Sequence, residues 1–160
     1  MFIRAANFYD IPAIMLIGES CSLEVWLESD LQAELVRSDS LLLAADINGC
    51  KQKVIGFIAA RFTNLESDSG GMRKFLEADL LNLGVLEEHR EKGIGAALLK
   101  EFINQAKDRG VKTIWLEVRE LNVNAVKFYE KNDFYKIQTR KNFYINPRDN
   151  AIVMKFDIRT

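Results

Sequence analysis

A glycine-containing segment, Arg90-Glu91-Lys92-Gly93-Ile94-Gly95-Ala96, lies between an apolar run and a long amphipathic pattern. Gly93 and Gly95 are separated by one residue, so the backbone can turn tightly there and leave its amide N–H groups uncovered. A helix that begins at this point adds N–H groups without helical acceptors and the positive end of its dipole. The segment therefore predicts a phosphate-binding loop, with the backbone amides of residues 91–96 as donors.

Two other glycine motifs that bind phosphate do not fit this segment. A P-loop requires Gly-x-x-x-x-Gly-Lys-Ser/Thr, and the chain contains no such run. A dinucleotide-binding fingerprint requires a third glycine at the position where this chain has Leu98. The motif alone is also compatible with a purely structural interpretation, in which the segment is a tight turn between a strand and a helix and binds no ligand.

Length and composition narrow the class of protein. The chain has 160 residues and a formal net charge of −1. We therefore expect a single domain over residues 1–160 that is not a general binder of nucleic acid. Cys21 and Cys50 match neither a disulfide framework nor a zinc spacing, which favours a reducing, cytoplasmic setting and no metal. Since no long apolar run occurs, neither a signal peptide nor a membrane span is expected.

Hydrophobic periodicity predicts a mixed α/β fold in which helices flank a sheet. The predicted strands cover residues 2–6, 41–45, 54–62, 78–85, 113–119, 134–137 and 151–156. The predicted helices begin at Asp10 with Pro12 in the first turn, near Ser29 in a capping box with Gln32, at Gly93 and at Asn124.

The third helix is predicted to run to Arg109, where Gly110 ends it, and the fourth to about Lys131. Polar stretches predict the connections. They are a turn at Asn48-Gly49, a loop over residues 64–74 that contains Gly70-Gly71, and a loop over residues 142–150.

Further motifs flank the glycine segment along the chain, one before it and three after it. They are Leu-Leu-Asn-Leu-Gly-Val at 80–85, Trp-Leu-Glu-Val-Arg at 115–119, Asn122 and Phe-Tyr-Glu at 128–130. Together with the Arg-x-x-Gly-x-Gly loop, they resemble the GCN5-related N-acetyltransferases (GNAT), and within that family the RimI-like branch of bacterial ribosomal-protein alanine N-acetyltransferases. The resemblance is close over the second half of the chain. It implies a mostly antiparallel sheet in which two parallel central strands, 78–85 and 113–119, splay apart.

The resemblance implies a donor site for acetyl-CoA. Its pyrophosphate would bind the loop Arg90, Glu91, Lys92, Gly93, Ile94, Gly95 and Ala96, mainly through backbone amides because Glu91 adds a negative charge. Its pantetheine arm would pair with the strand edge at Leu83, Gly84 and Val85, where Gly84 would keep the approach open. A free backbone N–H near Val85 would stabilise the thioester oxygen. Asn122 would form a hydrogen bond with the cofactor; without the family it is explained as a turn residue.

The resemblance also implies the catalytic groups. Glu117 would act as the base that deprotonates the amine, and Tyr129 as the acid that protonates the leaving thiolate. Without the family, Glu117 is better explained as a strand glutamate that is solvated or salt-bridged, with Arg119 as a candidate partner. Tyr129 is equally well explained as a helix tyrosine packed on the sheet. The expected mechanism is direct attack of the amine in a ternary complex.

The expected acceptor is the N-terminal amine of a protein, most specifically the alanine of a small-subunit ribosomal protein. It would lie in a groove between the first helices and the last two strands, lined by Arg140 and Tyr144. A small amine such as an amino sugar, polyamine or antibiotic is the alternative, with the 64–74 loop as a lid. A non-catalytic acyl-CoA sensor or assembly subunit is a third hypothesis. No nucleic acid or membrane partner is expected, and the chain is expected to be a monomer or homodimer.

Overall fold

The computed structural model describes residues 1–24, 26–47, 53–67 and 73–159. Its strands are Phe2–Ala5 (β1), Ser40–Asp46 (β2), Val54–Ser67 (β3), Arg73–Val85 (β4), Thr113–Arg119 (β5), Tyr135–Ile145 (β6) and Arg148–Asp157 (β7). Its α-helices are Ile11–Ser20 (α1), Glu28–Val36 (α2), Ile94–Asp108 (α3) and Val123–Lys131 (α4). Single 3-10 turns, Phe8–Asp10 and Glu87–His89, precede α1 and α3.

The strands form one sheet in the order β1-β2-β3-β4-β5-β7-β6. β4 and β5 run parallel, and every other neighbouring pair is antiparallel. This arrangement confirms the predicted mixed, mostly antiparallel sheet with one parallel central pair.

Two of the predicted loops are wrong. β3 continues to Ser67 and β4 begins at Arg73, so both ends of the predicted 64–74 loop belong to strands of the β3–β4 ladder. β6 and β7 likewise meet in a short hairpin at Asn146 and Pro147, where a loop over 142–150 was expected. Most residues of β6 are exposed, so the strand lacks the apolar alternation on which the prediction relied. The predicted Asn48-Gly49 turn, Gly70-Gly71 and Cys50 lie outside the described residues.

The start of α2 also differs from the prediction. Its N-cap is Leu27, whose backbone N–H donates to the Asp30 carboxylate at 2.8 Å. Gln32 instead donates to Glu28 one turn earlier, so the predicted pairing of Ser29 with Gln32 does not form. A carboxylate in the first turn can cap the helix as well as a serine hydroxyl can.

The N-cap of α1 is Asp10, as predicted, but its side chain accepts hydrogen bonds from Arg4 of β1 and none from the amides of α1. Both carboxylate oxygens of Asp10 accept from the Arg4 guanidinium, and one accepts from the Asn7 N–H at 2.8 Å. Burial by itself raises the pKa of Asp10, but these hydrogen bonds outweigh it and hold the pKa below its usual value. Arg4 also contacts the buried Asp46, which ties the edge strand β1 to β2.

The two faces of the sheet are covered by different helices. α1 and α2 pack on one face, where Ile14, Ile17 and Leu31 lie in one apolar cluster with strand side chains such as Phe57. α3 and α4 cover the other face, where the largest fully buried side chain is Phe102. α3 has Gly93 at its N-cap and Gly110 with a positive φ after its end, as predicted.

The two parallel strands are paired over only part of their length. Glu77–Leu80 of β4 pairs with Thr113–Leu116 of β5, and the ladder does not continue toward the ends of the two strands. Just beyond the paired part, Leu81 is the extra residue of a β-bulge, because Ala59 lies opposite Asn82 whereas Ala60 lies opposite Leu80. A bulge bends its strand and increases the local twist, so β4 diverges from β5 as predicted.

Gly84 allows α1 to pack closely on β4. A Cβ atom added at Gly84 would lie 2.9 Å from Ile17 Cγ2, 3.1 Å from Phe57 Cε1 and 3.2 Å from Leu23 Cδ1. The missing side chain therefore makes room for α1. The prediction that Gly84 keeps the gap between the strands open is wrong, because its Cβ would point at the helix.

We expect Gly84→Ala to lower the free energy of unfolding by about 1–3 kcal/mol, since the added methyl group overpacks the contact with α1. Gly18→Ala is the matched control, because no atom lies within 4 Å of its added Cβ. Alanine in the α1 interior should raise stability by about 0.5–1 kcal/mol. Urea unfolding followed by circular dichroism measures both variants, and equal stabilities would contradict this view of Gly84.

Candidate functional site

The backbone of β4 presents peptide groups to the gap between β4 and β5. The hydrogen bond from the Leu86 N–H to the Ile55 carbonyl, 2.9 Å long, sets the alternation of the β3–β4 ladder. By that alternation Gly84 bonds to β3, whereas the N–H and C=O groups of Leu83 and Val85 point toward β5. Two of the three predicted strand-edge residues therefore face the gap, and Gly84 does not.

The backbone of β5 faces the same gap from the other side. The Glu120 N–H donates to the Asn150 carbonyl at 2.9 Å, which sets the alternation of the β5–β7 ladder. The peptide groups of Glu117 and Arg119 consequently point toward β4. The gap is thus a slot between two strand edges, which suits an amide-containing ligand in an extended conformation.

The glycine loop lies at the open end of this slot. A Cβ atom added at Gly95 would lie 3.5 Å from Phe128 Cζ and 3.8 Å from Val85 Cγ2, which places the start of α3 beside the end of β4. Glu91 and Gly93 both have positive φ, 60° and 78°. The first helical hydrogen bond runs from the Ala97 N–H to the Gly93 carbonyl, so the amides of residues 94–96 have no acceptor within the helix. This geometry matches the predicted anion-binding loop.

The two cationic side chains of the loop are turned back toward the protein. Arg90 donates from Nε to the Val85 carbonyl at 3.0 Å, and its Nη2 contacts Cys21 Sγ at 3.4 Å. Lys92 donates to the Glu88 carbonyl at 2.9 Å. The anion-binding capacity of the loop in this conformation therefore comes from its amides and the start of α3.

A cleft of about 1020 Å³ adjoins the slot. Its walls are the connection after α1, α2 and the β6–β7 hairpin, and its floor is formed by β4 and β5. The predicted residues Glu117, Asn122, Tyr129, Arg140 and Tyr144 all line it, as does Leu83. The loop residues 90–96 and Gly84 and Val85 are not part of its lining.

Glu117 lies on the floor of the cleft. Its side chain is 32% exposed and points away from the buried face of β5 that Leu116 and Val118 form. Arg140 of β6 forms an ion pair with it. The predicted alternative of a pair with Arg119 is wrong, because Arg119 donates to the Pro147 carbonyl at 2.9 Å and stacks on Tyr144.

Tyr129 is buried, and two aromatic rings pack edge-on against it. The ring centroids of Phe128 and Phe134 lie 5.3 Å and 5.6 Å from that of Tyr129. Burial, followed by the nearby Tyr144, raises the pKa of Tyr129 well above its usual value. Burial and the negative charge of Glu117 also raise the pKa of Tyr144 to about 12. Both hydroxyls therefore stay protonated at neutral pH.

Asn122 is the N-cap of α4. Its side-chain oxygen accepts from the Ala125 N–H at 3.1 Å, so the predicted cap at Asn124 is wrong by two residues. The cap fixes the first turn of α4 at the mouth of the cleft, and the same helix carries Tyr129. Asn122 thus has a structural role in addition to the predicted contact with a cofactor.

Sequence reasoning missed several residues of the cleft. Trp115 and Asp79 lie on its floor, and Glu34 and Arg61 form an ion pair in it. Trp115 and Asp79 are neighbours across the β4–β5 ladder. Trp115 begins the Trp-Leu-Glu-Val-Arg motif, whereas Asp79 belongs to no motif, so only the predicted parallel pairing of these strands could have brought the two together.

No group of three or more potential metal ligands occurs among the residues that the structure describes. None of the described helices has both the length and the apolar character needed to cross a membrane.

Comparisons with known proteins agree with this geometry. The profile of the acetyltransferase (GNAT) family matches residues 9–134. The [ribosomal protein bS18]-alanine N-acetyltransferase of Haemophilus influenzae is 46% identical over 81 residues, which are 49% of this chain and 55% of that protein. In that match the chain spans about half the length of the curated relative.

Two further comparisons extend over nearly the whole chain. An N-alpha-acetyltransferase of Sulfolobus acidocaldarius is 28% identical over 152 residues, 92% of this chain and 87% of that protein. The crystal structure of the ribosomal-protein-S18-alanine N-acetyltransferase from Escherichia coli superposes with a TM-score of 0.80 and 28% identity, covering 99% of this chain and 94% of that one.

We expect an alkaline absorbance titration of the folded protein to show tyrosine ionisation well above the ordinary pKa of about 10. Tyr129→Phe should remove the component at the highest pH, whereas Tyr9→Phe, which removes a ring that is 91% exposed, should leave it in place. Because burial favours the neutral form, the stability that Tyr129 contributes is complete below the ordinary pKa and is lost as pH rises through the folded one. An unchanged titration of Tyr129→Phe would contradict the assigned burial.

Proposed function

Because the chain belongs to the acetyltransferase (GNAT) family, we propose that it transfers an acetyl group from acetyl-CoA to the N-terminal α-amino group of a protein. The observation that carries this proposal is the slot between β4 and β5. It joins an amide-lined loop at one end to a cleft with Glu117 and Tyr129 at the other. We further propose that residues 1–160 form one acetyltransferase domain.

The donor would bind along the slot. The diphosphate would accept hydrogen bonds from the amides of residues 91–96, and the pantetheine amides would pair with Leu83 and Val85. The Val85 carbonyl accepts from Arg90 in this structure, so the guanidinium would move aside or share the carbonyl with the ligand. Glu91 lies in the loop with its backbone at positive φ, where its amide contributes more than its side chain.

The acceptor would enter through the cleft. The open groove between α2 and the β6–β7 hairpin can take an extended peptide whose first residue reaches Glu117. The relatives named for the alanine of ribosomal protein bS18 support the N-terminal alanine of a small-subunit ribosomal protein as the acceptor.

The chemistry needs one base and one acid. An α-ammonium group has a pKa near 8, roughly, so Glu117 or a water that it orients can accept its proton. The nitrogen lone pair then forms a bond with the acetyl carbon, the carbon–sulfur bond breaks, and Tyr129 supplies a proton to the thiolate. The new amide nitrogen loses its second proton to solvent, and solvent returns a proton to Tyr129. The peptide N–H groups that face the slot would stabilise the negative charge that develops on the carbonyl oxygen.

The small-amine alternative loses the feature that favoured it. It rested on a long flexible loop over residues 64–74 that would act as a lid, and both ends of that stretch belong to strands of the β3–β4 ladder. The two hypotheses separate in one assay. An N-terminal alanine peptide should be acetylated, whereas the same peptide with a blocked N-terminus and a panel of small amines should not.

We expect Glu117→Gln to lower kcat for the alanine peptide by about 100-fold, since general acid–base catalysis contributes about 10²–10⁴-fold. Tyr129→Phe should lower kcat to a similar extent. Binding of coenzyme A, measured by calorimetry, should remain because neither side chain belongs to the loop.

Glu130→Gln is the matched control, since Glu130 is exposed on α4 outside the cleft lining. Wild-type turnover by Glu117→Gln would contradict the assigned base. Unchanged cofactor binding in a protein that never acetylates any amine would favour the sensor hypothesis.

A further inference from the structure

Asp79 lies on the floor of the cleft beside the assigned base. It is opposite Trp115 in the β4–β5 ladder, and Glu117 is two residues further along β5 on the same face. Asp79 and Trp115 both line the cleft, and Asp79 is exposed to it. Two strand positions span about 6–7 Å, so Asp79 lies within reach of a side chain on a ligand whose amine contacts Glu117.

The nearest cations on this face are committed to other carboxylates. Arg61 is the register partner of Asp79 on β3, but its guanidinium forms an ion pair with Glu34. Lys155, which lies over the Trp115 ring, pairs with Asp157 at 2.9 Å.

Three of the other four cleft carboxylates have partners, and the fourth, Glu24, is exposed on the connection after α1, where its charge acts on Tyr144. Glu117 pairs with Arg140, and Asp30 accepts from the Leu27 N–H. Glu34 accepts from Ser40 as well as Arg61.

Asp79 differs from these carboxylates in its surroundings. Within the described residues no cation pairs with it, and the charged groups that act on it are the carboxylates of Glu77 and Glu117. Partial burial and these two negative charges together raise the pKa of Asp79 above its usual value. An incoming cation would offset the repulsion between Asp79 and the two neighbouring carboxylates and would donate a hydrogen bond to Asp79.

We propose that Asp79 selects acceptors that carry a second cationic group close to the reactive amine, such as a lysine or arginine side chain at the second residue of a peptide. The inference rests on the proposed function of the cleft. The Trp115 ring next to Asp79 would cover the aliphatic stem of that side chain. The same chemistry, an amine with a second cation nearby, also occurs in a free diamine.

The test uses two peptides that differ only in the second residue, Ala-Lys and Ala-Gln, with the wild-type protein and Asp79→Asn. We expect the wild-type kcat/KM to be about tenfold higher for Ala-Lys, as for one hydrogen bond between charged groups. Asp79→Asn should lose this preference through a higher KM for Ala-Lys, with kcat retained and Ala-Gln turnover little changed. Glu77→Gln is the matched control, because it removes the same charge from the same strand outside the cleft lining.

The outcomes separate the inference from the proposed function. If Asp79→Asn keeps the lysine preference, or if Glu77→Gln loses it equally, the assignment of Asp79 is overturned. Calorimetric titration of each peptide into the protein with coenzyme A gives a readout that does not need turnover. Tighter binding of Ala-Lys that depends on Asp79, without acetylation, supports the inference and refutes the function. Equal binding of both peptides, together with no Asp79-dependent preference for a diamine over a monoamine, overturns the inference.

A diamine and a monoamine of equal length form the last arm. An Asp79-dependent preference for the diamine without one for Ala-Lys supports the cation site and assigns it to a free amine. Thermal unfolding of Asp79→Asn confirms that the variant is folded before these comparisons are made.

Discussion

The incomplete ladder between β4 and β5 is the constraint on which the rest of the structure depends. The bulge at Leu81 turns β4 away from β5 after four paired positions, so the peptide groups of Leu83, Val85 and Glu117 face a slot. Interior strands normally bond on both sides, and an open pair of edges inside a sheet is a binding feature. The helices fit around it, because α1 crosses β4 at Gly84 and α3 begins at the open end of the slot.

The fold was predictable where one face of an element is apolar. The third helix and β5 carry clear periodic patterns, and their predicted limits agree with the structure to within a residue. β6 and the distal parts of β3 and β4 escaped prediction because their sequences are largely polar and resemble a loop. The caps of α2 and α4 were misplaced by two residues, since several neighbouring side chains could fill the same role.

The site residues that could be predicted are those that belong to a recognised sequence motif. Glu117 and Tyr129 were found by resemblance, and the structure brings both to one cleft with Arg140 and Tyr144. The ion pair of Glu117 with Arg140 joins residues 23 positions apart, and it could not be derived before the β5–β7–β6 order was known. Asp79 gave no signal because a single carboxylate in an apolar strand belongs to no pattern.

Amide hydrogen exchange with and without coenzyme A tests the central claim most directly. If the ligand pairs with the open edge of β4, the β4 amides beyond the end of the ladder to β5 should exchange more slowly when the ligand is bound. The account predicts that coenzyme A slows exchange at Leu83 or Val85 and at residues 94–96, and leaves Gly84 unchanged because Gly84 already bonds to β3. Protection that falls on Gly84, or none along β4 despite binding, would contradict it.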